Sequence, residues 1–147
     1  MNEKVMIRNL EKNPTMICVD SGAGESVCPV DAFPDYETHE TEKVVCKYRA
    51  AGGQELKNMG GKRPKLKVNG VAASMTFQAT SHVRKPLAAA SRIAAKGNRI
   101  VLDDEDSPSY IENKATGTKI PFKIVNGVYM MEVAVTPKKT PFQGQAK

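Results

Sequence analysis

A mainly β fold is predicted for this 147-residue chain, and three observations predict it. Eleven glycines and nine prolines divide the chain into short runs. Those runs are apolar, or alternate apolar with polar residues, as strands do. Helical spacing is confined to one segment, Leu87 to Ala95. The length suits one domain with a sizeable core, and no apolar stretch approaches membrane-spanning length.

The elements follow in order. Residues 1–15 are a polar lead-in, too polar for a secretory signal, in which Val5-Met6-Ile7 reads as an edge strand. Thr15 to Val19 is the first clear strand, and Glu25 to Cys28 reads as a helical turn before Pro29. Residues 30–42 are acidic and loop-like. Val44 to Tyr48 is a second strand that enters a hairpin tip at Ala50 to Glu55. Gly60-Gly61 allows a bend, and Lys65 to Val68 alternates up to an Asn69-Gly70 turn. Ala72 to Ala79 continues the meander, with Met75 and Phe77 on one face.

Pro86 then opens the predicted helix, with Leu87, Ser91 and Ala94/Ala95 at helical spacing and Gly97 as its stop. Ile100 to Leu102 is an apolar strand, and Asp103 to Asp106 an acidic break. Ser109 to Glu112, Lys119 to Val125 and Val128 to Val135 are strands joined by turns at Thr116-Gly117 and Asn126-Gly127. From Pro137 onward the composition is that of a flexible tail. The expected organisation is a core over 1–103, a β-strand extension over 104–136 and a tail over 137–147.

The formal charge of +6 is distributed along the chain, densest at Lys62 to Lys67 and at Lys138-Lys139. Aromatic residues are sparse and not interleaved with the basic ones, so a solvated surface is favoured over a nucleic-acid platform. The odd set Cys18, Cys28 and Cys46 reads as reduced thiols in an intracellular setting. Cys28, His39 and Cys46 stand 11 and 7 residues apart, which fits no common zinc spacing, so no metal or other cofactor is expected. No local motif makes Cys28 or Cys46 a nucleophile with His39 or His82.

Chemistry concentrates at Val19-Asp20-Ser21-Gly22-Ala23. Strand alternation puts Ile17 and Val19 on one face and Met16, Cys18 and Asp20 on the other. Gly22 permits a sharp turn that carries Asp20 past the strand end. Ser21 can donate its hydroxyl to nearby backbone, and Ala23 is small enough for two such loops to meet. Gly22 and Gly24 do not make a dinucleotide loop, because the third glycine of that pattern would fall at Val27, and Asp20 and Glu25 would repel a phosphate.

Two carboxylates about 3 Å apart sharing one proton can activate water for peptide hydrolysis. The chain holds a single Asp-Ser-Gly; Asp106-Ser107 is followed by Pro108. A catalytic pair therefore needs a symmetric homodimer with Asp20 and its mate on the two-fold axis.

These residues resemble the retropepsins, and within them the protease region of copia-type retrotransposon polyproteins. The likeness rests on Val19 to Ala23 for the active-site loop and on Tyr48 to Gln54 for the flap. It extends to Lys85 to Gly97 for a leucine-containing helix ending in Lys-Gly, then to Arg99 to Leu102, Tyr110-Ile111-Glu112, Thr116-Gly117 and Gly127-Val128-Tyr129. The resemblance implies a closed β-barrel protomer with one short C-terminal helix, here with an extra β-hairpin extension. It also implies a dimer whose mobile flap, with Ala51, Gly52, Gly53 and Gln54 at its tip, folds over an extended peptide. The pair before the helix departs from the family, since Arg84 to Ala88 contains no glycine.

The expected function is an aspartic endopeptidase cleaving its own retroelement polyprotein, in the cytoplasm or in retroelement particles, with no membrane partner. The alternative is a catalytically inactive module of the same fold that associates with RNA through its basic balance. A monomer with its cleft unformed is a third state.

Overall fold

The computed structural model of the chain describes residues 15–39, 47–49 and 55–137. Expectations for Val5 to Ile7, Val44 to Cys46, the flap tip Ala51, Gly52, Gly53 and Gln54, and the tail beyond Pro137 lie outside these residues. Among the described residues the fold is mainly β with one short helix.

The first strand, β1 (Thr15–Asp20), sends Ile17 and Val19 into the core and leaves Asp20 half-buried on its other face. Val27–Pro29 forms β2, not the helical turn expected there. Val27 and Cys28 are buried between neighbouring strands, and that pairing overrides a local turn preference. The hairpin arms are β3 (Lys47–Arg49) and β4 (Glu55–Lys62), joined antiparallel with Tyr48 opposite Leu56. Gly60-Gly61 lies inside β4, where the register against β7 (Phe77–Thr80) shifts between Asn58 and Gly61. The expected bend is thus a bulge within a strand.

A second hairpin joins β5 (Lys65–Val68) to β6 (Val71–Ser74). Asn69 and Gly70 both have positive φ, 50° and 79°, as a two-residue turn of this hand requires. The run predicted over Ala72 to Ala79 breaks at Met75-Thr76, so β6 and β7 are separate strands.

The predicted helix begins later than its alanines suggest. Leu87–Ala89 is a strand, β8, parallel to β1 with Cys18 opposite Leu87 and Asp20 opposite Ala89. Only Ala90–Ala95 is helical (α1), and Gly97, at φ 86°, follows its end as expected. Ala88 and Ala89 are fully buried, so sheet pairing wins over helix propensity.

The remaining strands are β9 (Asn98–Val101), β10 (Ser109–Asn113), β11 (Lys119–Val125) and β12 (Val128–Val135). Asn126 and Gly127 make the β11–β12 turn with φ 53° and 79°. The strand order is β3-β4-β7-β2-β8-β1-β12-β11-β10-β9, with β5 joined to β12 and β6 to β5.

That path corrects the expectation of a closed barrel. Its end strands, β3 and β9, are not paired with each other, so the sheet stays open among the described residues. Segment 104–136 supplies three consecutive strands of this sheet, and β12 lies directly against β1, with Ile17 opposite Met131. Met131, Val133, Phe122 and Ile111 share one apolar core with Ile17, Val19, Leu66, Phe77 and Ala88.

The acidic loop is tied down by its apolar residues. Phe33 and Tyr36 are buried, with the Phe33 ring 5.3 Å from that of Phe77. The Tyr36 hydroxyl donates to the Thr136 carbonyl. Lys62 is buried and donates to the carbonyls of Val30 (2.9 Å) and Ala32 (2.6 Å), which answers the cost of burying its ammonium.

Candidate active site

Asp20 closes β1, and two residues on the chain turns back on its carboxylate. The Gly22 N–H donates to Asp20 Oδ1 at 2.8 Å. Such a bond orients the side chain. Gly22 is not in the left-handed region, so the turn does not demand a glycine for its φ. A Cβ there would stand 3.4 Å from Asp20 Oδ1, in ordinary van der Waals contact. A Cβ at Gly24 would meet nothing within 4 Å. The small residues of this loop are not required by packing within the chain itself.

The loop is fastened along its length. Asp20 and Ala89 are register partners, and the Cys18 N–H donates to the Pro86 carbonyl at 3.0 Å. Ser26 is buried, its Oγ accepting from the Ala89 N–H (2.9 Å) and its carbonyl from the Gln78 N–H (2.9 Å). From α1, Arg92 donates through Nε to the Gly24 carbonyl (3.2 Å) and pairs with the Glu25 carboxylate. Ser21 is exposed and, among the described residues, its hydroxyl makes no hydrogen bond; the stiffening expected of it falls to Ser26 and Arg92. Neither residue carries a motif of its own in the sequence. Their roles follow from β8 lying against β1, which local spacing does not reveal.

The carboxylate's surroundings on its own strand face are apolar and sulfur-bearing. Cys18 sits two residues before Asp20 and opposite both Leu87 and Met130. Burial pushes its thiol pKa up, the Asp20 charge adds to the rise, and Lys85 offsets part of it. Cys28, fully buried, is pushed up to about 11, chiefly by burial, with Lys62 opposing and Asp31 adding. A thiol so reluctant to ionise is a poor nucleophile, in keeping with the absence of a cysteine motif.

Ala23 is half-buried beside Gly22. The flap residues Ala51, Gly52, Gly53 and Gln54 lie outside the described residues, while the arms that carry them are in place as β3 and β4. Among the described residues no three His, Cys, Asp or Glu side chains converge as a metal would need; Cys46 of the sequence-level set lies outside them. No helix among them is long and apolar enough to cross a membrane.

A cavity of about 610 Å³ opens under the β5–β6 hairpin, walled by Leu66, Val68, Ile93, Ile111 and Met131. Asp20 is not part of its wall, for it lies on the opposite face of β1 from the core residues Ile17 and Val19. Comparisons with family models, with curated proteins and with solved structures give no match.

Proposed function

We propose that this chain is a retropepsin-type aspartic endopeptidase that works as a homodimer, each protomer lending one Asp20 carboxylate to the catalytic pair. The observation that carries the reading is the Asp20 loop. A carboxylate at the end of a buried strand is oriented by the Gly22 N–H and held on a loop that Ser26 and Arg92 fasten from behind. The loop's small, exposed residues leave room for a second copy to approach.

In that dimer two carboxylates about 3 Å apart share one proton, because like charges so close cannot both ionise. The ionised member takes a proton from water as its oxygen attacks the scissile carbonyl. The protonated member hydrogen-bonds the carbonyl oxygen and later helps protonate the leaving nitrogen. Titration belongs to the pair and not to either residue. The peptide lies extended between the protomers, its backbone bonding as an added strand to the flap above it. A cleft formed between subunits is in keeping with Asp20 lying outside the wall of the cavity under the β5–β6 hairpin. On the resemblance, the substrate is a retroelement polyprotein processed inside the cell.

The test is Asp20→Asn. The variant is expected to fold and dimerise as the parent does and to lose at least about a thousandfold in kcat/KM on a peptide library. Wild-type activity is expected to peak at acid pH. Equal cleavage by the variant removes the proposal. Salt-sensitive binding of single-stranded RNA with no cleavage of any peptide moves the assignment to the inactive interaction module.

A further inference from the structure

Strand β12 changes partners along its length. It pairs with β11 up to Met130 and with β5 from Ala134. The cavity of about 610 Å³ lies between those two neighbours. Leu66 and Val68 wall it from β5, Ile111 from β10, Met131 from β12 and Ile93 from α1. All five are buried members of the common core, so the cavity opens into the core itself. Protein interiors leave few voids larger than a water molecule, and small-ligand pockets hold roughly 300–1,000 Å³. Among the described residues no aromatic ring lines the space. Its walls thus suit a flexible aliphatic chain and offer a planar ring nothing to stack on.

Charge at the rim is one-sided. Among the described residues the charged members of the wall are Glu25, Arg92 and Lys96. Arg92 pairs with Glu25, so those two charges answer each other. Lys96, four residues on from Arg92 at the end of α1, is exposed, and among the described residues its ammonium makes no ion pair or hydrogen bond. The other polar residues of the wall are neutral serines, threonines, asparagines and a glutamine. Asp20 lies on the opposite face of β1 from Ile17 and Val19 and outside this wall, so the space is separate from the peptide cleft.

We propose that the cavity is a binding site for a small aliphatic carboxylate, its hydrocarbon chain among Leu66, Ile93, Ile111 and Met131 and its carboxylate held by Lys96. The inference stands on the cavity and does not need the peptidase reading. The hydrocarbon chain contributes affinity by leaving water, each CH2 alike, while the Lys96 ammonium selects the sign of the head group. A neutral alcohol of equal length fills the same space without that pair, and an amine meets a like charge.

The experiment titrates hexanoate, octanoate and decanoate, all below micelle-forming concentrations, into the full chain by calorimetry, with decanol and decylammonium as controls. One decanoate per chain is expected to bind, with Kd tightening by up to about fourfold for each added CH2. Lys96→Gln is expected to weaken decanoate by about two- to fivefold, the yield of one solvent-exposed ion pair, and to leave decanol unchanged. Lys96→Glu is expected to reverse the order of decanoate and decylammonium. Methyl resonances of Ile111 and Met131 are expected to shift as decanoate saturates. Ala73, half-buried opposite Leu66 on β6, also lines the space, and Ala73→Phe is expected to fill it and abolish binding. No binding of any of these probes, or binding by a folded Ala73→Phe protein, overturns the site. Equal binding of decanoate and decanol, or decanoate affinity that both Lys96 variants leave unchanged, overturns the carboxylate assignment. Occupancy that falls as protein concentration rises gives the cavity to a second copy of the chain and overturns the small ligand.

Discussion

Arg92 and Cys28 show how differently two polar side chains serve this fold. Arg92 is largely exposed, so its pair with Glu25 contributes under about 1 kcal/mol to stability. Its value lies in where it holds Gly24 and Glu25, the far side of the Asp20 turn. Arg92→Ala is therefore expected to move Tm by no more than a few degrees while lowering kcat by about tenfold or more, measured by thermal unfolding beside single-peptide kinetics. Cys28 works in the opposite sense. Its folded pKa of about 11 exceeds the ordinary thiol value of 9.0, so the native state holds the proton more tightly than the unfolded chain. Its contribution to stability is complete below pH 9.0 and is lost as pH rises through about 11. Unfolding by urea should show a loss of at most about 3 kcal/mol across that window. Cys28→Ala should flatten that part of the profile, and an unchanged profile would refute the assignment.

Among the elements, β4 depends most visibly on one residue. Gly60 has φ 115°, and a Cβ there would lie 2.6 Å from Thr38 Cγ2 and 2.8 Å from the His39 carbonyl oxygen. The bulge allows His39 and Gly61 to exchange backbone hydrogen bonds of 2.9 and 2.8 Å. Gly60→Ala is expected to cost about 2–4 kcal/mol, combining backbone strain with overpacking, and calorimetry would register it. The glycine pair was readable as a bend from the sequence, but a bulge needs a partner strand, and β7 enters only through the fold. The same limit explains β8. Leu87-Ala88-Ala89 has good helix formers, yet β1 and β2 flank it, and complete burial of Ala88 and Ala89 decides the outcome. The Asn-Gly turns needed no such help, because both residues of each pair tolerate positive φ locally.

At the scale of the molecule, β12 ties segment 104–136 to the strand that bears Asp20. It pairs with β1, β11 and β5 and buries Met131 and Val133 in the common core. A fragment ending at Asp103 would leave one edge of β1 and its apolar face uncovered. It is expected to lack cooperative unfolding and slow hydrogen exchange; a fragment with native-like protection would show that β12 is dispensable. The proposed dimer makes a separate demand. Beyond its chain neighbours a Cβ at Gly22 would meet only Asp20 Oδ1, in ordinary contact at 3.4 Å, so Gly22→Val should fold normally, yet it should abolish both self-association in sedimentation and cleavage. Excess Asp20→Asn protein should likewise suppress wild-type cleavage by forming mixed pairs. Normal association and cleavage by the Gly22 variant would place the pairing surface elsewhere.

The amino-acid sequence by itself determined what is local: the β-rich class, the Asn-Gly hairpins, the helix stop at Gly97, and an acid at the end of an apolar strand. Each depends on residues within one turn or one strand of each other, where φ preferences and period-two burial act directly. Only the tertiary structure decided the open sheet path, the strand at Leu87–Ala89, and the fastening of the Asp20 loop by Ser26 and Arg92. All depend on pairings between separate elements, and the bonds that fasten the loop join residues 63 and 68 positions apart, which propensity and spacing do not encode.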